Sequence, residues 1–142
     1  MSVAPGTPIP PARMSEITME RVHRMMELMH DTNPVHDDPE LVERRRLRGP
    51  VNQGPANLSY VLNMLQAWAG PEMQLERYDF RFLDIVVPGD TVAASGTVTG
   101  AAVDGADDVV EVEWQLDVEG GATAVTGTAR IRIPGGLGAP TV

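Results

Sequence analysis

The chain of 142 residues contains no cysteine. That removes disulfides, thiolate zinc sites and a cysteine nucleophile, and it suits a reducing compartment. Basic residues are scarce: 11 Lys and Arg stand against 20 Asp and Glu, for a net charge of −9. This balance excludes a general nucleic-acid binder, which presents a basic face. It also argues against an anionic membrane surface as partner. No uninterrupted apolar run approaches the roughly 20 residues that a membrane-spanning helix needs. The start is Pro-rich (Pro5, Pro8, Pro10, Pro11) and lacks the basic-then-apolar layout of a signal peptide. A cytoplasmic protein is the expectation. What is present is ordinary globular material, 42% hydrophobic and 22% charged, enough for one domain with a real core.

Residues 1–14 read as a Pro-rich extended arm, because four prolines remove backbone donors and oppose helix. The domain proper spans 15–134, and 135–142, rich in Gly and Pro, reads as a flexible tail. Thr18 is placed to cap a helix with Val22, Met25, Met26 and Met29 at i, i+3, i+4, i+7. Pro34 disfavours helical geometry at Asn33, so that helix ends before it. Asp38-Pro39-Glu40 then reads as a second start, with Asp38 as N-cap, Pro39 at the first position and Glu40 at the positive end of the dipole. This short helix carries Arg44, Arg45, Arg46 and Arg48 and stops at Gly49-Pro50.

A third helix starts near Asn52-Gln53-Gly54 and runs to about Trp68. Leu58, Val61, Leu62 and Leu65 form its expected buried stripe, widened by Met64 and Trp68. It holds no charged residue from Gly54 to Ala69, as expected of a helix wrapped by other structure. After it the period changes to two. Val110, Val112, Trp114, Leu116 and Val118 alternate with polar residues, and so do Val125, Gly127, Ala129, Ile131 and Ile133 beyond a Gly120-Gly121 turn. Gln74–Phe82 and Thr91–Thr99 read as two earlier strands separated by a turn at Pro88-Gly89-Asp90. Helices followed by about four antiparallel strands make an α+β domain, with a curved sheet wrapped around the apolar helix.

Chemistry concentrates in the stretch "HDTNPVHDDPE", His30 to Glu40. Its histidines and acids (His30, Asp31, His36, Asp37, Asp38) are possible metal ligands. His30-Asp31 matches the doublet of all-helical phosphohydrolases, but those need more histidines and no sheet, so no metal is expected. Alternatively, Asp31 and His36, five residues apart across Asn33-Pro34, are an acid–base pair able to grip one water. Proline stiffens their loop and Asn33 can hydrogen-bond nearby backbone. The plainer alternative is a helix-end acid and a surface histidine. Gly54 brings a backbone N–H to the start of a helix, an oxyanion site for a carbonyl or simply a turn into the helix. Arg44, Arg45, Arg46 and Arg48 form either a phosphate-binding cluster or a solvated helix face. Met25, Met26 and Met29 either line an acyl tunnel or pack a core.

These residues resemble a known family. "DTNPVHDDPE" is similar to the D-x-N-P-[IVL]-H-x-D motif of MaoC-like (R)-specific enoyl-CoA hydratases and dehydratases. "GPVNQG" stands where that family has A-H-G before its apolar helix, and "YDFRFLDIVVPGDTV" resembles its R-F-x-x-P-V-x-P-G-D-T segment. "VTGTARIRIP" also fits, and the resemblance covers about residues 13–134. It implies a single hot-dog domain, an antiparallel sheet wrapped around a long central apolar helix. It further implies reversible addition of water to a trans-2-enoyl thioester, giving the (R)-3-hydroxyacyl thioester. The thioester would be an acyl-CoA or acyl-carrier substrate, with coenzyme A as part of it and no separate cofactor. By the same resemblance Asp31 and His36 are the catalytic pair, the Gly54 N–H is the oxyanion donor, and Asn33 braces the loop. Asn33, Asn52, Gln53, Arg44 and Arg45 are candidates for substrate binding.

Three departures stand out. Gln53 replaces the family's histidine, His30 replaces a usual glycine, and Ser59 is nearer the helix start than the family's serine. "AWAGP" is similar to small actinobacterial subunits of the family, some of which pair with a second MaoC-like subunit. The expected assembly is thus a homodimer or such a heteromer. Two rival readings are a hot-dog thioesterase, which places a carboxylate on or near the helix where this chain has none, and a non-catalytic subunit.

Overall fold

The computed structural model describes residues 3–140. Strand β1 spans Pro8–Met14, helix α1 Met19–Met29 and helix α2 Pro39–Arg44, with a 3-10 turn at Pro34–His36 between the two helices. Helix α3 spans Gly54–Ala69. Strands β2 (Gln74–Phe82), β3 (Val92–Asp104), β4 (Asp107–Val118) and β5 (Thr123–Ile133) complete the domain. All pairings are antiparallel, in the order β1-β3-β4-β5-β2. The sheet folds over α3, whose Val61, Met64 and Leu65 are almost wholly buried against Val98, Val112, Leu116 and Ile131. Fully burying such side chains stabilises by about 1.5–3 kcal/mol each.

The helix caps form as local chemistry dictates. Thr18 accepts a hydrogen bond from the Arg21 N–H, and Asp38 accepts from the N–H groups of Glu40 and Leu41. The alternating faces of β4 and β5 bury the residues expected of them, apart from a partly exposed Gly127. Their wet face carries ion pairs, among them Arg130 with both Glu76 and Glu111. Across the middle of the sheet Gly96, Trp114 and Gly127 stand in register on three neighbouring strands. Gly127 is required there, because a Cβ would collide with the Trp114 ring and the Asp79 carbonyl.

Four expectations need correcting. The domain begins before residue 15: the arm is extended as expected, but Pro8–Met14 pairs with β3 as the edge of the sheet, with a bulge between Ile9 and Ala12 where Pro10 and Pro11 fall. The tail is not loose over its described part. Gly135 and Leu137 donate backbone hydrogen bonds to Asp107 and Asp108, and Leu137 packs on the core; residues 141–142 lie outside the described residues. The stripe of α3 is rotated, with Asn57, Val61, Met64 and Leu65 buried and Leu58, Leu62 and Trp68 only half-buried. On α1 only Val22 is buried, and Met29 is 44% exposed because the helix packs through one turn rather than its length.

Candidate active site

The loop after α1 is shaped by its own side chains. His30 ends the helix in the left-handed region, at φ +50°. This is the position where the family uses glycine, and glycine adopts that conformation at little cost. The turn directs Asp31 away from the helix axis. Asp31 Oδ1 then accepts from the Asn33 N–H (3.0 Å), and Asn33 Oδ1 accepts from the Val35 N–H (3.1 Å). Two successive side-chain turns of this kind hold the segment rigid. Asn33 is therefore a brace, itself exposed.

This geometry brings Asp31 and His36 together. Asp31 Oδ2 lies 3.0 Å from His36 Nε2, with the imidazole side chain 9% exposed and the carboxylate 26%. The other ring nitrogen, Nδ1, lies 2.6 Å from the Val51 carbonyl. A carbonyl only accepts, so Nδ1 must carry a hydrogen. The Nε2···Oδ2 contact sets an imidazole directly against a carboxylate, within reach for passing a proton from one to the other. The Val51 N–H in turn donates to the Val35 carbonyl (3.0 Å), so the histidine loop is bonded on both sides to the segment that leads into α3.

Gly54 is the first residue of α3, three positions beyond Val51. Its N–H has no backbone acceptor among the described residues. Phe82 of β2 lies over it, and a Cβ on Gly54 would come within 2.8 Å of the Phe82 ring. Tyr78 ties β2 to the same helix by donating from its hydroxyl to the Leu58 carbonyl (3.0 Å), and burial pushes its pKa up, so it stays a donor. Tyr78, Phe80 and Phe82 form a ladder of ring contacts at 6.0 and 5.4 Å. Phe82 was not singled out by sequence reading. It sits inside the "YDFRF" motif, but its contact with Gly54 joins residues far apart in the chain.

The remaining candidates divide. Asn52 is buried, and its amide donates to Asn57 Oδ1 (2.8 Å) and Tyr60 Oη (3.3 Å). Gln53 is buried and donates to the Val22 carbonyl (3.0 Å), tying α3 to α1; its Oε1 has no partner among the described residues. Arg44 and Arg45 are exposed. Arg48 does not join them: it forks onto Asp90 (3.1 and 2.9 Å) and donates to the Ile85 carbonyl. The "VVPGD" segment thus positions Asp90 to hold the chain that leads to α3. Met25 lines a groove of about 570 Å³ between α1 and α3, with Asn52, Ser59, Tyr60 and Asn63. Ala56, Ser59, Tyr60 and Asn63 occupy one face of α3 at i, i+3, i+4, i+7, and Gly54 and Leu58 lie on the opposite face. Asp31, His36 and Gly54 are not among the residues that line this groove. Among the described residues no three His, Asp or Glu side chains converge to hold a metal ion.

An antiparallel sheet folded over one buried helix defines a hot-dog domain, here with a carboxylate–imidazole pair bonded to the segment that enters the helix. Residues 3–120 match the family model described as MaoC like domain, and the chain belongs to that family. Among solved structures, the (R)-hydratase from A. caviae involved in PHA biosynthesis superposes with a TM-score of 0.82 at 25% identity, covering 94% of this chain and 98% of that one. R-hydratase PhaJ1 from Pseudomonas aeruginosa gives 0.79 at 19% identity, covering 93% and 83%. The ChsH1-ChsH2 complex from Mycobacterium tuberculosis gives 0.77 at 19% identity, covering 92% and 98%. A search of curated protein sequences finds no match. No helix among the described residues is long and apolar enough to cross a membrane.

Proposed function

We propose that this protein catalyses the (R)-specific addition of water to trans-2-enoyl thioesters, or the reverse dehydration of 3-hydroxyacyl thioesters. The observation that carries this reading is the direct contact of Asp31 with His36, bonded through Val51 to the segment that begins α3. Water held against the pair loses one proton to it as its oxygen attacks C3. The same pair then returns a proton to C2, so the elements of water add across one face of the double bond. The Gly54 N–H, reinforced by the α3 dipole, donates to the thioester carbonyl as it gains enolate character. Phe82, with the Phe80 ring against it and Leu58 one turn along α3, supplies apolar surface beside Gly54 for the acyl portion. The scheme uses coenzyme A or a carrier arm only as part of the substrate and calls for no separate cofactor.

The assembly in this reading is a dimer formed through β2. That strand is exposed on both faces, unpaired on one edge and free of proline, whereas the opposite edge carries Pro8, Pro10 and Pro11. Whether the second chain is a copy or a second MaoC-like subunit is an outcome of the test. Purified protein is mixed with trans-2-enoyl thioesters of short, long and sterol-like acyl groups, and loss of the conjugated enoyl absorbance is followed. Turnover of at least one, with an (R)-3-hydroxyacyl product, is expected. Inactivity on all of them, alone and with a MaoC-like partner, would favour a non-catalytic subunit.

A further inference from the structure

The chain contains no lysine; all of its 11 basic residues are arginine. Six of them, Arg13, Arg24, Arg48, Arg77, Arg130 and Arg132, are held by acids. Three others stand together without any: Arg44, Arg45 and Arg46 are exposed and make no ion pair among the described residues. Their backbone is well fixed. Arg45 and Arg46 donate to the carbonyls of Leu41 and Glu43, Leu47 donates to Val42, and Arg46 sits in the left-handed region at φ +52°. Arg48 then clamps the turn to Asp90 and Ile85. The result is a fixed turn, a knuckle whose three consecutive arginines form no ion pair among the described residues, on a protein of charge −9.

The knuckle is also near the chemistry. Helix α2 leads to it directly from the His36 loop, and at about 1.5 Å rise per residue the separation along the helix is on the order of 10 Å. An extended pantetheine arm reaches farther than that. We infer that Arg44, Arg45 and Arg46 seat the phosphate groups of a coenzyme A thioester whose acyl end lies at Asp31 and His36. This deepens the hydratase reading and rests on it. Guanidinium forks match phosphate oxygens bidentately and keep their charge at any working pH. An acidic carrier protein fits less well. Its docking face would have to meet Glu40 and Glu43 on the same short helix, and like charges across an interface are repelled. A phosphate cluster needs only the three arginines.

The test compares two thioesters of one enoyl group, on coenzyme A and on N-acetylcysteamine, which lacks every phosphate. In the triple variant Arg44→Gln/Arg45→Gln/Arg46→Gln, KM for the coenzyme A thioester should rise about 10- to 100-fold, with kcat within about twofold. KM for the N-acetylcysteamine thioester should not move. Calorimetry with free coenzyme A should show the same loss of affinity without any turnover. An equal change for both thioesters, an unchanged KM for coenzyme A, or a defect confined to a carrier-protein thioester would each overturn the assignment. If the wild type turns over neither thioester, the hydratase reading fails. Calorimetry then decides the arginines alone: retained binding in the triple variant, or no binding by the wild type, refutes them.

Discussion

Replacing Asp31 by Asn separates chemistry from architecture at this site. Asp31 makes two contacts of different kinds: Oδ1 accepts from the Asn33 N–H, and Oδ2 lies 3.0 Å from His36 Nε2. An asparagine preserves both in a single orientation. Its carbonyl oxygen accepts from Asn33, and its amide faces Nε2 as a donor to the lone pair of a neutral imidazole. His36 keeps its bond to Val51, so the loop retains its shape. The stability change should stay within about 1 kcal/mol, as for a partly exposed isosteric change that leaves no polar group unpaired. Catalysis should respond very differently, because an amide neither accepts nor releases the proton that water gives up. General acid–base groups contribute roughly 100- to 10,000-fold. At about 1.36 kcal/mol per factor of ten, that is a loss of roughly 2.7–5.4 kcal/mol of transition-state stabilisation. The assay is the fall in enoyl absorbance at saturating substrate, beside a thermal melt of the same preparation. Turnover within tenfold of wild type, with an unchanged melt, would refute a role for the carboxylate in proton transfer.

Three further predictions concern the frame around the site. Gly127→Ala should destabilise by about 3 kcal/mol or more, measured as a shift in urea midpoint, since neither the Trp114 ring nor the Asp79 carbonyl can yield. Gly96→Ala should cost about 1–3 kcal/mol, less than Gly127→Ala: the ends of the Ile9 and Met64 side chains at 3.3 Å can shift, but the Glu113 backbone carbonyl at 3.2 Å yields little. Asp90→Asn tests the clamp on Arg48. Burial alone raises the Asp90 carboxyl, but bonds from Arg48 and the Val87 N–H, with the Arg48 charge, hold it below its ordinary 3.8. A lowered folded pKa means the stabilisation is complete above the ordinary value and fades as pH falls through the folded one. Unfolding at about pH 7 should therefore show wild type ahead by about 1–2 kcal/mol, discounted for the half-exposed guanidinium. The gap should narrow in acid, and an equal gap throughout would contradict the clamp.

The legible parts of this molecule are those decided within a few residues. Thr18 and Asp38 cap the helices they precede, and β4 and β5 alternate as their sequences do. Edge pairing is not local. Prolines exclude helix from 8–14 but say nothing of an edge seat beside β3, which depends on that strand being open there. β3 likewise runs on to Asp104 through Gly100-Ala101-Ala102, which do not alternate, because β4 supplies partners at Val109 and Val110. In the site, the motif spacing of Asp31 and His36 pointed to a pair. The contact itself needed the left-handed His30, the Asn33 turn and the Val51 carbonyl. Arg48 was grouped with its neighbours because adjacency in sequence hides Asp90, 42 positions away.

The two edges of the sheet set a limit on growth. A chain with one proline-studded edge and one open edge has a single valence for strand pairing. Two chains joined through β2 would present only proline edges outward, and the combined sheet, five strands from each, would have nowhere to extend. The arrangement that invites one partner thereby refuses a third. Proline replacement on β1 should then give filaments, not a tighter pair.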